Sequence, residues 1–204
     1  WTVFQTSMDD ANLANNAGFF NRDAAVLHHM WAAQVRETAA ANENAEEAAE
    51  QRAFADKQDA LAMAGMQRSW EAYARAAELA PDDVRIVNDA GLIMTYYLRT
   101  DVKRAEELLL QSVAAGEAQE ADSDPMSDLN EAWGDAYQNL AVLYLTWLDE
   151  PAKAKQYMEK ALEIGPGSRN RLRSIIEVCD ERIAGKTTGS GQFDRMIWTP
   201  AAAH

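Results

Sequence analysis

The chain has 204 residues and a formal net charge of −14, from 33 Asp+Glu against 19 Lys+Arg. That length supports a buried core, and 48% hydrophobic with 25% charged residues argues against wholesale disorder. The acidity excludes the electrostatic footprint of a nucleic-acid binder; the single cysteine, Cys179, excludes an internal disulfide.

Residues 1–7 carry no period and read as an extended lead-in. The chain opens at Trp1 with no basic, apolar leader, so we expect a processed end or an excised domain and assign no compartment. A helix starts near Asp9, with acid where the helix dipole favours it. From Ala24 to Ala80 there is no proline and one glycine, Gly65. This is too long for one ordinary helix, and a break is expected near residues 39–44 or at Gly65. Residues 37–59 are mostly Ala, Glu, Gln, Asn and Asp, which form helix but bury little. An exposed, projecting hairpin is expected there.

Pro81–Asp82–Asp83 stops the second helix, and Ile86, Val87, Ala90, Ile93, Met94 and Tyr97 recur at helical spacing after it. Another helix opens at Thr100–Asp101, carries Ala105, Leu108, Leu109 and Val113 inward, and is expected to end at Gly116 in a left-handed cap. Residues 117–128 read as an acidic loop. Helices are expected over about 129–147 and 151–164, with Pro151 in a first turn, and over about 168–183. Residues 185–204 read as a flexible linker and an aromatic tail. The longest apolar run, residues 140–148, is far below the roughly 18 that span a bilayer. No strand alternation appears, so the chain is expected to be all-α, as one domain over residues 8–184.

An internal repeat shapes the architecture. Tyr137-x2-Leu140-Ala141-x2-Tyr144, then Ala154-x3-Met158, Ala161-Leu162 and Pro166, resembles the tetratricopeptide repeat. A weaker copy has Val87, Ala90-Gly91 and Met94, followed by Ala105, Leu109 and Ser112. A split copy has Ala14, Ala17-Gly18 and Asn21, followed by Ser69, Tyr73, Ala76 and Pro81. The resemblance implies an α-α superhelix (solenoid) of about three helix pairs. Residues 23–67 would be a helical insertion, residues 117–128 an acidic insertion, and the last helix a C-terminal cap. Small residues at Gly18, Gly91, Ala141, Ala76, Ala105 and Ala161 would let paired helices approach closely.

The resemblance also implies a non-catalytic scaffold that binds a peptide or helix of another protein on its concave face. The positions that would line this face are Asn15, Phe19, Arg22, Asn88, Leu92, Thr95, Gln138, Val142 and Leu145. The three amides among them suit a peptide backbone, unless they simply face water. The absence of lysine from this set excludes the clamp that grips chaperone tails. An apolar or basic ligand fits the acidic surroundings better.

Other chemistries fare worse. Adjacent His28 and His29 point about 100° apart on a helix, so no zinc site is expected. Asp122, Asp124, Asp128 and Glu131 lack the order of a calcium loop and read as a solvated linker. Gly185-Lys186-Thr187 follows a helix rather than a strand and lacks the first glycine of a phosphate loop. No nucleophile sits in a recognisable turn, so no enzyme activity, cofactor or metal is expected. Arg169, Arg171 and Arg173 read as partners of local acids or as a docking patch. The tail residues Phe193, Met196, Ile197 and Trp198 are expected to pack on this chain or a neighbouring copy. Self-assembly through the terminal segments, giving a homo-oligomer, is therefore the rival function, and a helical small-ligand binder is the third.

Overall fold

The computed structural model describes residues 9–119, 124, 127–164 and 169–186. Among them the chain is all-helical, as seven helices packed on one another. These are α1 (Ala11–Ala41), α2 (Ala45–Leu79), α3 (Val84–Ile93), α4 (Val102–Gln119), α5 (Asp128–Thr146), α6 (Pro151–Ile164) and α7 (Arg169–Ile183). Short polar residues start α1 to α5 by satisfying orphan N–H groups. Asp10 accepts from the Leu13 amide at 2.9 Å, Asp83 from Ile86 at 3.0 Å, and Ser127 from Asn130 at 3.2 Å.

The break in the long helical stretch falls at Asn42–Asn44, not at Gly65. Asn42 Oδ1 accepts from the Asn44 amide at 3.0 Å, and Asn44 then caps α2 through Glu46 and Glu47. Residues 23–67 are simply the far ends of α1 and α2, which continue without interruption. Buried small residues recur every seventh position along the pair: Gly18, Ala25, Ala32 and Ala39 on α1; Ala48, Ala55, Ala62, Ser69 and Ala76 on α2. A seven-residue period keeps one seam in contact between two helices. With no bulk at the seam the helices approach closely, and a Cβ on Gly65 would lie 2.8 Å from the Ala25 Cβ.

The same device closes the proximal ends. A Cβ on Gly18 would lie 2.6 Å from the Tyr73 ring, and one on Gly91 2.6 Å from Leu109 Cδ2. One buried hydroxyl ties each pair further: Ser69 Oγ donates to the Gly18 carbonyl at 2.8 Å, and Ser112 Oγ to the Val84 carbonyl at 2.7 Å. Helix α3 packs on α2 and α4 and also touches α1 and α5; α5 packs on α4 and α6, and α6 on α7.

One terminus differs from the sequence expectation, and two others carry detail that it lacked. Helix α4 does not stop at Gly116 but runs on to Gln119, so residues 117–119 of the expected loop are helical. Gly116 is glycine because Trp133 of α5 lies against it: a Cβ there would be 2.4 Å from Trp133 Cδ1. Helix α3 widens into a π turn over Met94–Leu98, ending at Arg99 with φ 55°. Gly185, expected in the linker, is the left-handed residue that terminates α7, with φ +69°. Its amide reaches the Arg182 carbonyl at 3.0 Å and the Lys186 amide reaches Glu181 at 2.9 Å, the paired bonds of a Schellman end. The expected turn at residues 165–167 and the tail with Phe193, Met196, Ile197 and Trp198 lie outside the described residues.

Candidate functional site

Helices α3 and α5 lie side by side, and their first turns enclose a cleft of about 270 Å³. Arg85, Asn88, Asp89, Asp128, Glu131, Ala132 and Asp135 line it. Four carboxylates thus face one guanidinium. Side-chain amides brace the walls: Asn139 Nδ2 donates to Asn88 Oδ1 at 2.9 Å, joining α5 to α3. Asn15 Nδ2 donates to Asp89 Oδ2 at 3.0 Å, joining α1 to α3.

The electrostatics follow from burial that neighbouring donors and cations only partly offset. Burial raises the Asp89 carboxyl above the usual range, against the opposing pull of the Asn15 bond, Arg22 and Arg85. Burial, with Glu131 and Asp89 adding to it, pushes Asp135 up to about 6; Arg171 opposes. Both groups are poised to gain from an incoming positive charge.

This shift has a stability consequence with a definite sign. The native value of about 6 for Asp135 exceeds the ordinary aspartate value of about 3.9, so ionisation costs the folded chain. The cost is absent below about pH 4, grows up to about pH 6 and is complete above it. Asp135→Asn is therefore expected to stabilise the chain at pH 7.5 by about 1 kcal/mol, after screening by solvent at this partly open position. At pH 4 it should change nothing. Urea denaturation at the two pH values checks this; equal effects at both would contradict it.

The residues expected to line one face divide into two groups. Asn88, Thr95, Val142 and Leu145 are buried rather than open to solvent. The reason is packing: α5 is the central helix, in contact with α3, α4 and α6, and residues 139–145 are buried all round it. Thr95 Oγ1 turns back to the Gly91 carbonyl at 2.9 Å, and its own carbonyl accepts from Trp147 Nε1 at 3.1 Å. Arg99 stacks on that indole, 4.0 Å from the ring centroid. Asn15, Leu92 and Gln138 are half-buried, and Phe19 is exposed. Arg22 lies 4.7 Å over the Phe19 ring and pairs with Asp23 at 2.9 Å. Two of the three amides, Asn15 and Asn88, are thus committed to neighbouring helices. Only Asn88 of the expected set lines the cleft.

The carboxylates that dominate the cleft were not expected there. Asp89 sits next to Asn88 and Asp135 three residues before Gln138, two of the amides named from the repeat. The histidines diverge: His28 Nδ1 meets Gln58 Oε1 at 2.7 Å and His29 Nδ1 meets Asp59 Oδ1 at 3.0 Å. Among the described residues no group of His, Cys, Asp and Glu is placed to hold a metal ion, and no helix is long and apolar enough to cross a membrane. No protein-family model, curated protein or solved structure matches the chain.

Proposed function

We propose that this chain is a non-catalytic scaffold of tetratricopeptide type that holds a basic, extended segment of a partner protein in the cleft between α3 and α5. The observation that carries the reading is the pair of partly buried carboxylates, Asp89 and Asp135, on neighbouring helices with raised pKa values. A lysine or arginine entering between them would relieve both. The architecture supports the family resemblance at two places. Gly18 lies under Tyr73 and Gly91 under Leu109, so the first two proposed pairs close in the same way. Helices α3 and α5, the first members of the second and third proposed pairs, touch directly.

The test uses an unstructured peptide of alternating lysine, alanine and arginine, with a glutamate-containing peptide of equal length as control. Calorimetry is expected to detect the basic peptide only. Asp89→Asn combined with Asp135→Asn should weaken binding about tenfold or more, the loss of roughly 1.4 kcal/mol or more. Affinity should also fall with salt and below pH 6, as Asp135 takes up its proton. Binding that ignores both substitutions would remove the cleft from the proposal.

A further inference from the structure

Helix α1 has three faces. Gly18, Ala25, Ala32 and Ala39 turn to α2, and Asn15 turns to α3. The third face, roughly 160° around the helix from Asn15 and Arg22 at 100° per residue, is largely exposed. It carries Leu13, Ala17, Phe20, Ala24, Leu27 and Trp31. Phe20 is 69% exposed and Leu27 67%, and Leu13 and Trp31 are about half exposed. Phe54 of α2 extends the strip sideways, its ring 5.0 Å from Trp31 in an edge-to-face contact.

The spacing of this strip is its most specific property. The steps are four, three, four, three and four residues, the alternation of a coiled-coil seam. A strip this narrow and regular fits a second helix rather than a flat surface.

The side chains then select which helix. Laid antiparallel against a copy of itself about a two-fold axis at Arg22, α1 brings Phe20 opposite Ala24 of the second copy. Ala17 comes opposite Leu27 of the second copy, and Leu13 opposite Trp31. The two inner layers each set a bulky side chain against an alanine, as interdigitated packing requires. A parallel pairing would stack Phe20 on Phe20 and leave Ala24 facing Ala24. The antiparallel register also joins one heptad position to the other, which is how antiparallel seams mesh. The strip itself has no charged residue, so the net charge of −14 is not concentrated where the copies would meet.

Area agrees. The exposed parts of Leu13, Phe20, Leu27 and Trp31, with Phe54 and Leu61 beside them, come to on the order of 700 Å², close to the roughly 800 Å² each partner gives a stable interface. We infer that this chain forms a two-fold dimer through α1, antiparallel to α1 of a second copy. This surface is separate from the acidic cleft and does not depend on it.

Sedimentation equilibrium on the full chain tests it. At about 100 μM the expected mass is twice the 22.6 kDa of the chain. Phe20→Glu with Leu27→Glu should return the mass to that of one chain, with an unchanged circular dichroism spectrum because both residues are exposed. A second measurement reads the register. Under oxidising conditions, a mixture of Phe20→Cys and Ala24→Cys chains should cross-link to each other more than either does alone. Wild-type chain that stays monomeric overturns the proposal and leaves the strip to another helix or to residues 1–8. A dimer that survives the double substitution overturns it also, and cross-linking without preference for the mixture overturns the antiparallel register.

Discussion

Tyr73→Ala is expected to lower the unfolding free energy by about 3–5 kcal/mol, and Tyr73→Phe to leave it unchanged or raise it. Tyr73 is fully buried, and its ring fills the space above Gly18 where α1 and α2 converge. Removing the ring opens a cavity that α1 cannot collapse into, because Ser69 holds the Gly18 carbonyl at a set height. The hydroxyl is a different matter. It is buried and finds no hydrogen-bond partner among the described residues. Burial raises the pKa of the phenol, with Asp89 adding to it, so the group stays neutral. A buried polar atom without a partner costs roughly 1–3 kcal/mol, and phenylalanine removes it while keeping the ring. Thermal unfolding separates the two substitutions. Each kcal/mol moves the midpoint by about 2–4 °C for a chain of this size, so the alanine variant should melt about 10 °C lower. A phenylalanine variant that melts as low as the alanine variant would mean that the hydroxyl, not the ring, holds the joint.

Gly116→Ala is the second. In an exposed helix interior this exchange stabilises by about 1 kcal/mol; here it is expected to destabilise by about 1–3 kcal/mol, because it overpacks a filled contact. The added methyl would lie 2.4 Å from Trp133 Cδ1 and 2.5 Å from Cγ, atoms close to the root of a rigid side chain. Combining it with Trp133→Leu supplies the discriminating result. If close approach is the reason for glycine, the double variant should lose less than the sum of the single losses, as read from urea midpoints. If glycine were needed for a left-handed turn, removing the indole would rescue nothing.

Gly116 also marks where sequence reading and structure part. A glycine before an acidic stretch has the local pattern of a helix end, and nothing nearby in sequence shows that an indole seventeen residues later occupies the same space. The starts were legible because they depend on local chemistry: Asp83 and Pro151 act on the amides and φ angles next to them. The two-helix reading of the long stretch was legible for the same reason. Its seven-residue alanine seam was not, because alanine also fills the positions between and hides the period. The cleft falls between these cases. The repeat spacing named residues on α3 and α5, among them Asn88, which lines the cleft. It could not show that Asn88 would bond Asn139 and Asn15 would bond Asp89, leaving a cleft lined mostly by carboxylates. That outcome depends on cross-helix pairing, which spacing along one chain does not encode.

The alanine seam between α1 and α2 also sets how stability is distributed along the hairpin. Near α3 the pair is anchored by Met66, Tyr73 and their neighbours in the main core. Toward residues 42–44 the buried apolar side chains are Ala32, Ala39, Ala48 and Ala55, and these stand apart from that core. A buried methyl contributes only about 0.8 kcal/mol, while ordering one residue's backbone costs about 1–2 kcal/mol. Polar pairs between the two helices, Arg36 with Asp56 and Asp59 and His28 with Gln58, together with helix propensity, must therefore carry much of the far end. Opening is then graded, as in a zipper held at one end: the tip can separate and re-form many times while the joint at Tyr73 stays shut. The far half of the hairpin is expected to open as its own unit, and the strip on α1 runs from Leu13 near the anchored end to Trp31 beyond the middle of the helix.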